Sequence, residues 1–267
     1  MTSSTHALKR VIFMGRKPSA ARAFMHLVAQ GIHVPLLVAP ESAEQNPALH
    51  AAATAHGSLI VEDAEAYAMV AQTHAACQDI DLVISFLYPK KIRAPLYTLG
   101  TYGCVNFHPA PLPDYKSRAG YNTAILDGRT EYGVSAHFIT SDAFDAGEII
   151  KVQRFPMDSE TETAYSLEAK SQRALVDLFG EVIGLFAPGT PILTTPNVGG
   201  LYLTSKQLEA LREIHPERES AEEIRRKCRA FFFPPYDGAT LEVNGQRFTL
   251  VDETILQDMA RRLKKNV

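Results

Sequence analysis

Three residues of this chain can be read as one chemical set: Asn106 and His108 in Asn-Phe-His, and Asp145 in Phe-Asp-Ala-Gly. Positions two apart on a strand share a face. Asn106 and His108 therefore point together if the run Gly103 to Phe107 is a strand leading into His108-Pro109. An amide, an imidazole and a carboxylate suit attack of an amine on a carbonyl carbon. The tetrahedral intermediate needs a donor to its oxyanion, and Asn supplies a neutral one. The imidazole donates to the same oxygen or moves a proton. The carboxylate orients the imidazole and helps collect the amine proton. Taken singly, a His near a strand end is usually a structural hydrogen-bonding residue, and an Asp beside Gly is usually a turn former. Their joint placement gives the chemical reading its weight.

The elements that must position them alternate. Arg10 to Met14 is an apolar run ending in Gly15. Ala20 to Gln30 carries Ala21, Phe24, Leu27 and Val28 at helical spacing, and Gly31 ends it. Further strands are expected at Val34 to Ala39, Leu59 to Val61, Asp81 to Phe86 and Gly103 to Phe107. Helices are expected between them at Ala48 to His56 and Ala64 to Ala76. Such alternation implies βαβ units and a parallel sheet, in which ligands bind outside the carboxyl ends of the strands. Three places therefore matter: Gly15 to Ser19, Phe86 to Lys91, and the exit from His108. A helix at Tyr121 to Leu126, strands at Gly133 to Thr140 and Glu148 to Arg154, and a long helix from Ala164 to Phe186 follow. Pro188, Gly189, Pro191 and Pro196 then break the chain. This predicts a catalytic domain over 1–190 and a small region over 191–267. In the latter, Ser205 to Glu213 and Ala221 to Ala230 read as helices. Leu241 to Val243, Asn244-Gly245 and Gln246 to Val251 read as a hairpin, since Asn-Gly favours a type I′ turn.

Composition narrows the classes. The chain has 267 residues, 46% of them hydrophobic, and a formal net charge of −3. That balance gives no electrostatic footprint for nucleic acid, and Arg261 to Lys265 reads as a solvated helix end. Cys77, Cys104 and Cys228 are too scattered for a disulfide framework or a zinc site. No metal is expected. The polar start, Met1 to Arg10, has no apolar h-region, and no run approaches a membrane span. A cytoplasmic protein without a membrane partner is the expectation. Gly15 to Ser19 is neither a dinucleotide fingerprint nor a Walker loop. A Gly turn at a helix start with Arg16 and Lys17 can still bind a phosphate through amides and charge, although a plain strand–helix turn with two solvated bases is the more ordinary reading.

Val105 to Tyr115 (VNFHPAPLPDY) and Gly133 to Ile150 (GVSAHFITSDAFDAGEII) together resemble the 10-formyltetrahydrofolate-dependent formyltransferases. The resemblance covers roughly the first 190 residues and is densest from Asp81 to Arg154. It implies a Rossmann-like α/β formyltransferase domain with Asn106, His108 and Asp145 as its catalytic set and 10-formyltetrahydrofolate as formyl donor. It places the pterin against Ser85, Phe86, Leu87, Tyr88, Lys90 and Ile92, and against the loop from Ile139 through Asp142. Two departures stand out. The Ser141 to Asp145 loop is one residue longer than the common pattern. The usual basic residue–Gly pair after the Leu-Pro turn is replaced by Lys116-Ser117-Arg118-Ala119-Gly120.

Three acceptors compete within that resemblance: glycinamide ribonucleotide, the methionyl group of a tRNA, and a nucleotide-linked amino deoxysugar. The negative charge and short tail disfavour tRNA. Glycinamide ribonucleotide enzymes usually stop near the end of the catalytic domain. Arg229 to Val251 (RAFFFPPYDGATLEVNGQRFTLV) looks like the tail of sugar N-formyltransferases, so the amino sugar is favoured. That branch makes sugars for surface polysaccharide such as lipopolysaccharide O-antigen and forms homodimers. Under this reading Pro109, Lys116, Arg118, Tyr121 and Asn122 join Arg16 and Lys17 on the acceptor side, with Lys116 or Arg118 facing the pyrophosphate. A non-catalytic folate or nucleotide-sugar binder of the same fold is the alternative from another class.

Overall fold

The computed structural model describes residues 8–187 and 190–265. The break expected at Pro188-Gly189 and the polar start, residues 1–7, lie outside them. β1 (Arg10–Gly15) is buried at every position after Arg10, as a strand covered on both faces must be. α1 (Pro18–Ala29) opens on proline, whose missing N–H has no helical partner at that position. β2 (His33–Val38), α2 (Pro47–His56), β3 (Leu59–Val61) and α3 (Asp63–Ala71) continue the alternation. α3 stops short of the expected Ala76. Thr73 turns left-handed at φ 52° there, and a 3-10 turn follows over Ala75–Cys77 with its Ala76 N–H capped by the His74 ring. β4 (Leu82–Phe86) and β5 (Cys104–His108) come next, then β6 (Tyr115–Lys116), α4 (Gly120–Leu126), β7 (Glu131–Phe138), β8 (Ile149–Pro156) and α5 (Ala164–Gly184). The last elements are β9 (Leu201–Tyr202), α6 (Ser205–Ala210), α7 (Ala221–Phe231), β10 (Ala239–Val243), β11 (Gln246–Leu250) and α8 (Glu253–Lys265).

Seven strands form the main sheet in the order β3-β2-β1-β4-β5-β7-β8. The pairs β2–β3, β1–β2, β1–β4 and β4–β5 are parallel, whereas β7 runs antiparallel to β5. The sheet is thus mostly parallel rather than uniformly so. The chain leaves β5 at its carboxyl end and re-enters the sheet from that same end, so no crossover restores the direction. The strand order reverses between β1 and β4, where Gly15 pairs with Phe86 and the Arg16 N–H donates to the Phe86 carbonyl at 3.3 Å. A crevice at such a reversal is where this architecture binds ligands.

One face of the sheet is packed by aromatic rings. Phe13, Phe86, Phe107 and Phe179 are fully buried, with the Phe107 and Phe179 centroids 4.8 Å apart. Each such ring removed from water stabilises the fold by about 1.5–3 kcal/mol. Ile12, Met14, Leu36, Val38, Val83 and Cys104 belong to a second cluster, which Ile92 and Leu96 join.

Chain contacts divide the molecule into two units. Among the described residues, the first falls within 1–113, 133–153 and 172–199, and the second within 114–132, 154–171 and 200–267. The boundary expected near 190 falls within the last segment of the first unit. In the second unit, Asn122 Nδ2 donates to the Ala230 carbonyl at 2.7 Å and Arg229 Nε to that of Ser159 at 3.0 Å. Capping boxes start α6 at Thr204 and α7 at Ser220, each satisfying helix-end N–H groups. The β10–β11 turn has Asn244 at φ 51° and Gly245 at φ 76°, the type I′ geometry expected. No helix among the described residues is long and apolar enough to cross a membrane.

Candidate active site

β5 carries Asn106 and His108 to the carboxyl end of the sheet. Because β7 runs beside it in the opposite direction, Asn106 faces His137 and His108 faces Ser135. His108 is 6% exposed and His137 1%. Asp145 arrives from the loop after β7, with its backbone in the left-handed region at φ 47°. Gly147 lets that loop close: a Cβ there would stand 1.8 Å from the Phe138 carbonyl oxygen. Asp145 Oδ1 lies 3.4 Å from each of Asn106 Nδ2, His108 Nδ1 and His137 Nε2. Asn106, His108 and Asp145, chosen from residue type and spacing, are therefore gathered at one buried point. Asp142, the other carboxylate of the long loop, is exposed.

Two further groups belong to this cluster. His137 Nδ1 faces the Phe138 carbonyl at 2.8 Å, and a carbonyl only accepts, so the ring carries its proton there. Nε2 is then a lone pair, and it receives Asn106 Nδ2 at 3.0 Å. Ser85 Oγ donates to Asn106 Oδ1 at 2.7 Å. Ser135 Oγ donates to the Ala110 carbonyl and accepts the Leu112 N–H, both at 2.8 Å, which splints the proline-rich exit loop beyond Pro109. His137 escaped the sequence reading. Its only local signal was a histidine in the otherwise apolar half of GVSAHFIT.

The residues expected on the donor side divide by surroundings. Phe86 has its ring in the aromatic core, against Phe13, Phe107 and Phe179. Leu87 sits left-handed at φ 56°, a conformation that non-glycine residues adopt mainly where surrounding structure imposes it. Ile92 is buried in the second cluster, and Tyr88 and Ile139 pack on that cluster half-buried. Lys90 is exposed. The loops after β4 and β7 meet where Lys91 Nζ lies 5.0 Å over the Phe144 ring. α3 grips the first of these loops. Tyr88 Oη donates to Asp63 Oδ1 at 2.7 Å, and the Arg93 N–H donates to Tyr67 Oη at 2.8 Å. Burial, and then the Asp63 carboxylate, push the Tyr88 phenol well above its ordinary pKa, so it remains a donor.

The turn after β1 is tied within the first unit. The Lys17 N–H donates to Glu41 Oε2 at 2.9 Å, and Asn46 Nδ2 donates to the same oxygen and to the Lys17 carbonyl, each at 3.0 Å. An internal carboxylate thus meets the amide that an incoming phosphate would use. Arg16 is half-buried. Lys116, Arg118, Tyr121 and Asn122 belong to the second unit. There Lys116 lies on β6, Arg118 is exposed, and Tyr121 packs its ring 5.6 Å from that of Tyr132. Among the described residues no group of three or more His, Cys, Asp or Glu could hold a metal ion.

A family model described as formyl transferase matches residues 10–183. A GDP-perosamine N-formyltransferase of Brucella melitensis is 32% identical over 184 residues, which cover 68% of this chain and 69% of that protein. The fold is similar to the crystal structure of a 4-N formyltransferase from Francisella tularensis, with TM-score 0.73 and 18% identity over 92% of this chain and 97% of that one. It is also similar to an N-formyltransferase from Helicobacter canadensis in complex with folinic acid and dTDP-3-aminofucose. That match has TM-score 0.67 and 20% identity, and covers 89% and 85% of the two chains.

Proposed function

The chain belongs to the formyl transferase family, and from that premise we propose that it moves a formyl group from 10-formyltetrahydrofolate to the amine of a nucleotide-linked amino deoxysugar. The observation that carries the reading is the convergence of Asn106, His108 and His137 on one oxygen of Asp145 at the carboxyl end of β5. The Brucella relative, named for an amino-sugar nucleotide, supports the acceptor class. In this reading a neutral acceptor amine attacks the formyl carbon. A new C–N bond forms, the bond from that carbon to the folate nitrogen breaks, and the amine's proton passes to the leaving nitrogen. Asn106 Nδ2, through the hydrogen that now points to Asp145 Oδ1 at 3.4 Å, and His108 donate to the developing oxyanion, a contribution on the order of several kcal/mol. Asp145 holds the His108 ring and helps withdraw the amine proton. The donor's ring lies against Leu87, Tyr88, Ile92 and Ile139, with Lys90 and Asp142 along that wall. On the acceptor side the first unit offers Arg16, Lys17 and Pro109. The protein works in the cytoplasm as a homodimer, in synthesis of surface polysaccharide.

The test is mass spectrometry of reactions containing purified protein and 10-formyltetrahydrofolate. GDP-, dTDP- and UDP-linked amino sugars are offered as acceptors, with glycinamide ribonucleotide and methionyl-tRNA as comparators. One added formyl group on one amino sugar is expected. Formylation of glycinamide ribonucleotide or of the tRNA alone would replace the proposed acceptor. Donor binding with no product on any acceptor would point to the non-catalytic binder.

A further inference from the structure

Ser85, Asn106 and His137 stand in one row across β4, β5 and β7, paired Ser85 with Asn106 and Asn106 with His137. Their side chains are joined in the same order, and the protons can be placed from the far end. The Phe138 carbonyl only accepts, so the neutral His137 ring carries its proton at Nδ1 and presents a lone pair at Nε2. That lone pair requires an N–H, so the Asn106 carboxamide turns its nitrogen toward His137 and its oxygen toward β4. The oxygen then needs a donor, and the Ser85 hydroxyl is 2.7 Å away. We propose that Ser85 is a positioning residue for formyl transfer: its hydroxyl decides which end of the Asn106 carboxamide meets the carbonyl under attack. The inference rests on the formyltransferase reading of this site.

The physical need for such a device is specific. The two ends of a carboxamide are nearly equal in size, so packing alone cannot hold one orientation. Turned over, Asn106 would aim its oxygen at Asp145 Oδ1, 3.4 Å from the present nitrogen, and at the oxyanion it should stabilise. Ser85 is 2% exposed, which keeps bulk water from competing for its hydrogen bond to Asn106. A hydroxyl donated to the amide oxygen also polarises the group and strengthens its N–H donors. Ser85 was expected to line the donor pocket. The hydrogen bond to Asn106 gives it a different task, which affects turnover rather than donor affinity.

Ser85→Ala and Ser85→Thr, alone and combined with Asn106→Ala, would be compared in the full chain. One readout is kcat and donor KM, measured separately. The other is exchange of the Asn106 side-chain amide protons by NMR, the signals being assigned by their loss in Asn106→Ala. Ser85→Ala should lower kcat about tenfold, leave donor KM within about twofold, and speed the amide exchange. Ser85→Thr keeps the hydroxyl and should recover most of both effects. In the Asn106→Ala background, Ser85→Ala should add nothing further. A raised donor KM with intact kcat would make Ser85 a donor contact and overturn the proposal. So would an undiminished effect in the Asn106→Ala background, which marks a merely structural role, or unchanged amide exchange in Ser85→Ala. If the wild-type protein formylates none of the amines offered, the functional reading fails on that result, and the exchange data still decide whether Ser85 orients Asn106.

Discussion

Asp145 meets three nitrogen atoms at a single oxygen, each 3.4 Å away. The His137 proton is held on Nδ1 by the Phe138 carbonyl. Asn106 and His108 are therefore the groups in this cluster able to donate toward that carboxylate. Removing the imidazole takes a donor from the oxyanion, and neutralising the carboxylate removes what orients the imidazole. His108→Ala and Asp145→Asn should each lower kcat by about 10²–10³-fold. Circular dichroism and the thermal midpoint should stay near wild type. Rates close to wild type in both would show that the chemistry lies elsewhere. Asn106 and His108 were legible because strand alternation is local and visible in Asn-Phe-His. Asp145 was legible from its turn. His137 was not, because its position depends on an antiparallel register between residues 31 apart in sequence, and no local pattern encodes it.

At the scale of elements, α3 acts on the site without reaching it. Asp63 and Tyr67, both on α3, hold Tyr88 and the Arg93 N–H of the loop after β4. That loop carries the left-handed Leu87 and side chains proposed to contact the donor's ring. Asp63→Ala removes the acceptor of the Tyr88 hydroxyl and should loosen the loop while leaving the Asn106–His108–Asp145 cluster in place. Donor KM should rise about three- to tenfold, with kcat within about twofold, since one lost hydrogen bond is worth about 1 kcal/mol. An unchanged KM with a fallen kcat would place α3's influence in the chemistry instead. The long periodic elements were legible: β1, β4, β5, α5 and the Asn-Gly hairpin lie close to where residue pattern put them. The direction of β7 was not, because strand alternation is the same in either direction. β6 and β9 escaped because two residues carry no period.

At the scale of the whole molecule, contacts such as Asn122 to Ala230, 108 residues apart, build units that no cut in the sequence could describe. Composition is legible at this scale, and it bears on the acceptor. A chain with formal charge −3 holds a phosphate-bearing partner only through a few local basic groups. For an acceptor carrying a single pyrophosphate, raising salt from about 50 to about 200 mM should reduce kcat/KM by less than about tenfold, because few charges are paired. A tRNA acceptor engaged through six to ten phosphate contacts would instead lose about 10³–10⁵ in affinity over the same interval. Formyl transfer is therefore to be followed across that salt range with the amino-sugar nucleotide and with methionyl-tRNA side by side. A shallow dependence on the first and negligible product on the second is the expected pair of results. A steep dependence with tRNA as the faster acceptor would mean that a basic surface outweighs the net charge, and would move the protein to a different branch of its family.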